Sequence, residues 1–394
     1  MTRWKRSIYY LLTLGLVAVT TTGCWDRVEI NDLALVVARG IDMTEDGKLM
    51  STIEIVNPSA MSQGMTGTGG QSNAKPFLIV SGSGKDIGDI SGKMQEKLSR
   101  RIFTAHRRIL IIGEKLAKHG IENVIDHFTR EPANRLRSYV LVARGTTAKE
   151  VLEQTYPLER ITSEGIREMQ MSELSVSTTI KDLVTMLSEE GGDPICAVIE
   201  LNKNIDKNKV PFHLNGSAVF RNGKLVQYLD DTLTRGILWA RDEMRQGIIT
   251  FTIPKQTGYI TVRLIHSATK VTPEVHGNHA TMHIRIKTEG YVMENNTKLD
   301  LSNPEYVDIC NTYMSKAIAT RIQKAIDATK KTDTDPVSFG EYIHRSQLSQ
   351  WQRIKGQWRK IIPTMQLDVK VNTQIRRVGM DGPGLEWKQD EVKK

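Results

Sequence analysis

Cysteine is scarce in this sequence, with three residues among 394, at positions 24, 196 and 310. They do not stand at the short spacing that a zinc site requires, which excludes a zinc-finger or zinc-ribbon fold. In a protein exported from the cytoplasm, Cys196 and Cys310 can form a disulfide. Both residues lie within segments of periodic apolar residues, so the sequence favours two separate buried thiols over that disulfide.

The sequence also lacks a hydrophobic run long enough to cross a membrane. The apolar stretch at 8–19 has about 12 residues, whereas a spanning helix needs roughly 20. It follows Arg3, Lys5 and Arg6 and precedes Thr21-Thr-Gly-Cys24, the pattern of a secretory signal peptide. Its end resembles the lipobox of bacterial lipoproteins, which predicts a signal peptide over 1–23 and diacylglycerol on Cys24. An ordinary signal peptide with an incidental cysteine is the alternative.

Strong charge of one sign is absent. The formal net charge is +9 at pH 7, and three cations lie within 1–23. The others are scattered, with short doublets at 100–101, 107–108 and 376–377. Because no basic motif is interleaved with aromatic residues, nucleic acid is a poor candidate partner. A solvated surface near an anionic membrane accounts for the modest positive excess.

A phosphate-binding loop is missing as well. Gly82-Ser-Gly84-Lys85 lacks the earlier glycine of a P-loop, and Asp86 stands where a serine or threonine must hold the metal ion. The glycines between 64 and 70 do not precede a helix start. We interpret them as a flexible linker within a mobile surface loop at 57–75.

The nearest approach to a metal cluster is formed by three histidines, His276, His279 and His283. Gly277-Asn278 predicts a turn flanked by His276 and His279, with His283 in the following strand. A zinc site usually adds a carboxylate or thiolate beside such residues. The sequence therefore favours surface imidazoles over metal ligands.

Two further features are candidates for acid–base chemistry, His106 and Asp230-Asp231. No serine or cysteine motif lies near His106 in sequence, so a histidine at the entry of a strand is the favoured interpretation. Asp230 or Asp231 is better explained as the N-cap of a helix. We therefore predict that the chain is not an enzyme and has no catalytic, cofactor-binding or metal-binding residues.

The first half of the mature chain alternates between strand and helix patterns. Strands are predicted at 33–41, 51–56, 77–80, 108–112 and 139–143, with helices at 86–100, 115–129, 148–154, 160–172 and 180–188. This order predicts a mixed sheet containing βαβ units.

The second half predicts a hairpin over 212–220 and 224–229 around Asn222-Gly223, then strands at 259–270 and 281–287. A long amphipathic helix begins at Asn303-Pro304, followed by helices at 336–345 and 348–362 and a strand at 365–377. Trp351 and Trp358 lie on apolar helix faces, which are more typical of a core than of a partner surface.

Together these patterns predict an α+β fold of three domains, built on mixed or antiparallel sheets with packed helices. An N-terminal mixed α/β domain is expected at 24–195, a small middle α+β domain at 196–255 and a C-terminal α+β domain at 256–378. The polar tail, 379–394, is expected to be disordered.

The segment after the lipobox, Cys24-Trp-Asp-Arg-Val-Glu-Ile-Asn31, resembles the start of mature Ger(x)C lipoproteins, the C subunits of spore germinant receptors. The resemblance continues through further segments in the family's order. They are Val37-Ala-Arg-Gly-Ile-Asp42, 106–108, 112–114, 130–132, Arg135, Gly216-Ser-Ala-Val-Phe220, 234–236, Phe339-Gly-Glu-Tyr-Ile-His-Arg345 and Val371-Asn-Thr-Gln-Ile-Arg-Arg377.

This resemblance implies a lipoprotein of three domains, tethered to membrane lipid through Cys24 at the outer face of the inner spore membrane. It implies two integral-membrane partner subunits, one of the amino-acid transporter type, in a receptor that senses nutrients and triggers germination. The family supplies no catalytic residue, and direct binding of a small molecule is not expected. The alternatives are a solute-binding lipoprotein with a nutrient cleft between two similar lobes and an exported enzyme.

Overall fold

The computed structural model describes residues 3–4, 7–11, 13, 29–58, 60, 75–131, 134–202 and 210–377. The predicted lipid site at Cys24, most of the loop predicted at 57–75 and the tail predicted at 379–394 lie outside these residues.

The strands, β1 to β13, cover Leu33–Met43, Leu49–Val56, Phe77–Gly84, Arg101–Phe103, Ile109–Gly113, Tyr139–Ala143, Ile195–Leu201, Phe212–Arg221, Lys224–Leu229, Ile248–Phe251, Ile260–His276, His279–Asn295 and Gln366–Arg377. The helices, α1 to α11, cover Ile87–Gln95, Glu114–His119, Glu122–Arg130, Ala148–Leu152, Thr162–Met171, Ile180–Ser188, Asp231–Ala240, Pro304–Lys330, Phe339–Ser346, Leu348–Ile354 and Trp358–Ile361.

The first nine strands form one mixed sheet. Its order is β3-β2-β1-β5-β6-β7-β8-β9, and β4 pairs with β1. Strands β1, β5, β6 and β7 run parallel, with helices in the connections from β5 to β6 and from β6 to β7, as parallel pairing requires. Every residue of β5 is buried because the sheet is covered on both faces there. The predicted βαβ-containing mixed sheet is confirmed.

The second sheet has the order β10-β11-β12-β13. Its central hairpin is longer than the predicted strands, because β11 and β12 stay paired out to His276 and His279. Pro273 is tolerated within β11 because it lies beyond the part of the strand that pairs with β10. That pairing covers only Ile260–Arg263, so no hydrogen bond to β10 is lost at the proline. Helix α8 lies against β13 and supplies Met314, Ile318, Ile322 and Ile326 to the core.

One predicted turn is confirmed, and one predicted helix is divided in two by a turn. Asn222 and Gly223 both have positive φ values, 49° and 67°, so the predicted hairpin turn between β8 and β9 is confirmed. The single helix predicted over 115–129 is wrong. Gly120, with a φ of 140°, ends α2 in a conformation available to glycine, and α3 begins after it.

The segment predicted as a small middle domain, 196–255, is divided between the two sheets. Strands β7, β8 and β9 extend the large sheet, whereas β10 pairs with β11 in the small one. Among the described residues, this segment has no sheet of its own. The α+β class with mixed sheets and packed helices is confirmed, and the positions of the domain boundaries stay a prediction.

Candidate functional site

The three histidines lie at the end of the β11–β12 hairpin, as predicted. Nε2 of His276 and Nε2 of His283 each lie 2.8 Å from the carboxylate of Glu274, and Nδ1 of His283 lies 2.9 Å from Oδ2 of Asp368. Hydrogen bonds to Asp368 and Glu274 raise the pKa of His283. The histidines belong to a surface ionic network, and no group of three or more potential ligands in the described ranges is arranged to hold a metal ion.

The other acid–base candidates have structural positions. His106 is exposed in the turn before β5. Asp230 is the N-cap of α7 and accepts a hydrogen bond from the backbone N–H of Leu233, while Oδ1 of Asp231 accepts one from the N–H of Gly216. Helix capping by Asp230 is therefore confirmed, and His106 and the two aspartates do not converge on one site.

Cys196 and Cys310 are free, buried thiols in β7 and α8. Burial raises the pKa of each thiol to about 12, which keeps both protonated and poorly nucleophilic. The prediction of two separate thiols is confirmed. Trp351 and Trp358 are also buried, with ring centroids 5.8 Å apart in an edge-to-face arrangement, so the core interpretation of their helix faces is correct.

Two buried carboxylates that the sequence analysis did not identify cap helices from the large sheet. Asp42, at the end of β1, accepts hydrogen bonds of 2.8 and 3.1 Å from the first two backbone N–H groups of α4. Glu54, in β2, accepts bonds of 3.1 and 3.2 Å from the first two N–H groups of α5. These contacts satisfy donors that have no partner inside the helix.

We expect Glu54→Gln to flatten the pH dependence of stability. Burial raises the pKa of Glu54 to about 7, against the opposing effect of its hydrogen bonds. A carboxyl whose pKa is higher in the folded state stabilises the fold below about pH 4, and that stabilisation is lost as the pH rises to about 7. Urea denaturation across this range should show a smaller slope for Glu54→Gln than for wild type. Glu96→Gln, at an exposed position, is the control, and equal slopes for all three proteins would contradict the assignment.

An ionic joint around the buried carboxylate of Asp193 connects the two sheets. Asp193, just before β7, accepts hydrogen bonds from both Nη1 and Nη2 of Arg359 in α11. The distance from Nη2 to Oδ1 is 2.7 Å. It also accepts a 2.7 Å hydrogen bond from the backbone N–H of Asp335, which precedes α9. The backbones approach so closely here that a Cβ on Gly191 would lie 2.5 Å from the carbonyl carbon of Gly340. The joint fixes how the two halves of the protein meet.

A polar cleft of about 650 Å³ opens between α6 and α9, close to this joint. Two of its cations are already paired. Arg241 lies 2.8 Å from Glu243 and donates a 2.7 Å hydrogen bond to the carbonyl of Pro336, and Arg345 lies 2.7 Å from Glu341. A solute site needs polar groups that are free to meet a ligand. The pairing of Arg241 and Arg345 leaves two of the four lining cations, Lys181 and Arg245, to meet a ligand.

The predicted lipid attachment at Cys24 stays a prediction, because the residue lies outside the described ranges. Within those ranges, none of the helices is both long enough and apolar enough to span a membrane. Large apolar side chains are nevertheless exposed on both halves of the protein. Leu158, between α4 and α5, is 79% exposed, and Leu348, at the start of α10, is 56% exposed.

Two protein families match this chain. The family described as the spore germination protein N-terminal domain matches residues 26–201. The family described as spore germination B3/GerAC like, C-terminal, matches residues 215–379. The two matches cover almost all of the chain after Cys24. The first ends at the last residue of β7, and the second begins within β8 of the large sheet.

Individual relatives match along nearly their whole length. The chain is 30% identical over 379 residues to the putative spore germination protein YfkR of Bacillus subtilis, covering 95% of this chain and 98% of that protein. It is 28% identical to spore germination protein KC of the same organism, covering 93% and 94%. The crystal structure of the GerBC protein matches with a TM-score of 0.58 and 20% identity over 86% of this chain and 97% of that one, a similarity of fold.

Proposed function

The chain belongs to the GerAC-like family of spore germination proteins, and from this premise we propose that it is the lipid-anchored, non-catalytic subunit of a germinant receptor. The observation that carries the proposal is the pair of family matches, which start two residues after Cys24 and continue to residue 379. A lipidated N-terminus would thus be followed directly by the folded germination domains. The absence of a convergent acid–base set among the residues considered above is consistent with a binding role.

The anchor in this proposal is diacylglycerol on Cys24. One acyl chain of myristoyl length gives only marginal membrane binding, whereas two chains hold stably. Signal-peptide cleavage before Cys24 would place the protein at the outer face of the inner spore membrane. The anchor supplies membrane attachment to a protein whose described residues include no helix able to span a membrane.

The partners in this proposal are two integral-membrane receptor subunits, one of the amino-acid transporter type. Docking requires exposed surface that becomes covered in the complex. Leu158 and Leu348 supply exposed apolar groups on the two halves of the protein, and the ionic joint holds those halves in one arrangement. A charge introduced at a docked position leaves an ion desolvated or opposed by like charge, which weakens association.

Deletion of the gene is expected to abolish the response of spores to the nutrients that the receptor senses. The loss of spore refractility after nutrient addition measures this response, and complementation with the full chain should restore it. Spores treated with a nutrient-independent activator serve as the control, because they test the germination machinery that acts after the receptor. A nutrient response that persists in every nutrient tested would contradict the proposal.

The cleft of about 650 Å³ makes a solute-binding lipoprotein the second candidate. We expect no heat of binding when amino acids, sugars or nucleosides are titrated into the mature chain in detergent, because Arg241 and Arg345 are already paired. Isothermal titration calorimetry makes the measurement. A saturable isotherm with a micromolar dissociation constant that is lost in Arg345→Ala would favour the solute-binding function.

A further inference from the structure

Two arginines of the large-sheet half are buried without an acidic partner. Arg39 in β1 is 3% exposed, and Arg107, just before β5, is 2% exposed. Neither guanidinium lies within 4 Å of a carboxylate among the described residues. Arginines are almost never fully buried unless they are paired, because removing a charge from water is costly. Two such residues close together need an explanation beyond packing.

Arg39 is held by two hydroxyl groups. Its Nε donates a 2.8 Å hydrogen bond to Oγ of Ser51, and its Nη2 donates a 2.7 Å bond to Oγ of Ser91 in α1. These neutral acceptors orient the guanidinium and do not neutralise its charge. Nη1 has no acceptor among the described residues. The planar, fork-shaped guanidinium of Arg39 therefore keeps an unused donor at Nη1.

Arg107 is positioned in a similar way. Its Nε lies 3.3 Å from Oγ of Ser138, its Nη1 donates a 3.1 Å hydrogen bond to Oδ1 of Asn134, and its guanidinium carbon lies 4.2 Å from the ring centroid of Phe128. Nη2 of Arg107 and Nδ2 of Asn134 are buried donors without a hydrogen-bond partner. Unpaired buried donors are uncommon and point to a missing acceptor.

A cavity of about 630 Å³ is lined by Arg39 and by Asn134, the hydrogen-bond partner of Arg107. Its lining also includes His127 from α3 and Arg101 from β4. Arg101 is exposed at this site and makes no ion pair among the described residues. Glu131 is the one carboxylate in the lining, and it lies beyond 4 Å from the guanidinium of Arg39. The cavity therefore combines a positive charge excess with donors that have no acceptor.

We propose that this cavity binds a phosphate group, with Arg39 as its main contact, Arg101 closing the site from the surface and Asn134 and Arg107 behind it. The assignment is independent of receptor assembly and of the lipid on Cys24. Because Ser51 and Ser91 occupy Nε and Nη2 of Arg39, Nη1 is the nitrogen that donates to a phosphate oxygen. Such a hydrogen bond between two charged groups is stronger than one between neutral groups.

Phosphate fits the cavity better than a carboxylate does. A phosphate monoester carries about −1.5 to −2 at neutral pH and offers three acceptor oxygens, whereas a carboxylate carries a single charge and two oxygens. Arg39 and Arg107 leave two positive charges without a counterion. The donors also come from separate elements, so an acceptor with oxygens pointing in several directions serves more of them.

The pKa values of the basic groups around the cavity are consistent with a site for an anion. Burial lowers the pKa of Arg39 to about 10 and that of Arg107 to about 9, and the field of Arg39 contributes to the second shift. Burial and the nearby arginines also lower the pKa of His127. A bound anion would counter these effects, because an opposite charge favours the protonated guanidinium.

Calorimetric titration of the mature chain in detergent with inorganic phosphate, in a chloride buffer of matched ionic strength, tests the site. We expect saturable binding in wild type. Arg39→Lys keeps the charge but loses the fork, so its dissociation constant should rise about tenfold, as expected for the loss of a charge-assisted hydrogen bond. Arg101→Ala should also weaken binding. Arg100→Ala removes the same charge from an exposed position outside this cavity and should bind as wild type does.

Circular dichroism establishes that each variant is folded. If Arg39→Lys does not fold, phosphate binding by Arg101→Ala alone tests the site. A second arm uses dihexanoyl phosphatidic acid, whose headgroup is a phosphate monoester, as a competitor. Competition identifies a lipid headgroup as the source of the phosphate, and its absence identifies a free phosphate compound. The proposal is overturned if wild type shows no saturable phosphate binding, or if the folded variants bind phosphate as tightly as wild type.

Discussion

Replacement of Arg359 by alanine is expected to lower the free energy of unfolding by about 2–3 kcal/mol. This is less than the usual cost of breaking a fully buried ion pair, because the Arg359 side chain is 40% exposed and solvent screens part of the interaction. The variant leaves Asp193, whose side chain is 1% exposed, without its counterion. Burial raises the pKa of Asp335 to about 7, so Arg359 chiefly compensates the charge of Asp193. Urea denaturation followed by tryptophan fluorescence measures the change.

Arg376→Ala is the matched control for this prediction. Arg376 also contacts both oxygens of a carboxylate, that of Glu289. Glu289 is 35% exposed, whereas Asp193 is 1% exposed. An exposed ion pair contributes at most about 1 kcal/mol. Similar losses of stability in Arg359→Ala and Arg376→Ala would contradict the view that the ionic joint holds the two halves together.

Replacement of Cys24 by alanine is expected to leave the protein uncleaved or poorly retained on the membrane and to impair germination. The lost anchor is large, because acyl chains contribute about 0.8 kcal/mol for each buried CH₂ group. Mass spectrometry of the mature N-terminus and the fraction of protein that sediments with membranes measure the effect.

Cys310→Ala is the control for the anchor, because Cys310 is a buried thiol of α8 and its replacement removes no lipid. This variant should keep the membrane-bound fraction of wild type. A wild-type N-terminus that starts at a residue other than Cys24 and carries no lipid would contradict the anchor.

The local elements could be predicted because their signals are local. The N-cap at Asp230 and the turn at Asn222-Gly223 each depend on residues within a few positions, and both are as predicted. The end of a helix at Gly120 was missed because the apolar periodicity continues on both sides of the glycine. The β11–β12 hairpin is longer than predicted. A proline usually interrupts a sheet, but Pro273 is accommodated where β11 is not paired with β10.

The charged groups of the interior could not be predicted in the same way. Arg359 and Asp193 are 166 residues apart in sequence, and Asp42 caps a helix that begins 106 residues later. Arg39 and Arg107 entered the sequence analysis only as members of short segments, with no sign that both are buried. A single sequence gives no pairing information over such separations, and only the folded chain brings these groups together.

The family assignment, by contrast, was accessible from the sequence, because several segments occur in the same order as in Ger(x)C proteins. The family matches at 26–201 and 215–379 confirm it. The alternation of helices and strands also predicted the α+β class, which the fold of the GerBC protein shares. The sequence did not predict that β7 to β9 extend the large sheet, since strand order depends on long-range pairing.

Affinity purification of the full chain from spore membranes tests the proposed receptor role most directly. We expect two integral-membrane subunits to be recovered with the wild-type chain. We also expect Leu158→Glu or Leu348→Glu to reduce their recovery while circular dichroism shows an intact fold. Recovery of the lipidated chain without any integral-membrane subunit, from spores that respond normally to nutrients, would contradict the account.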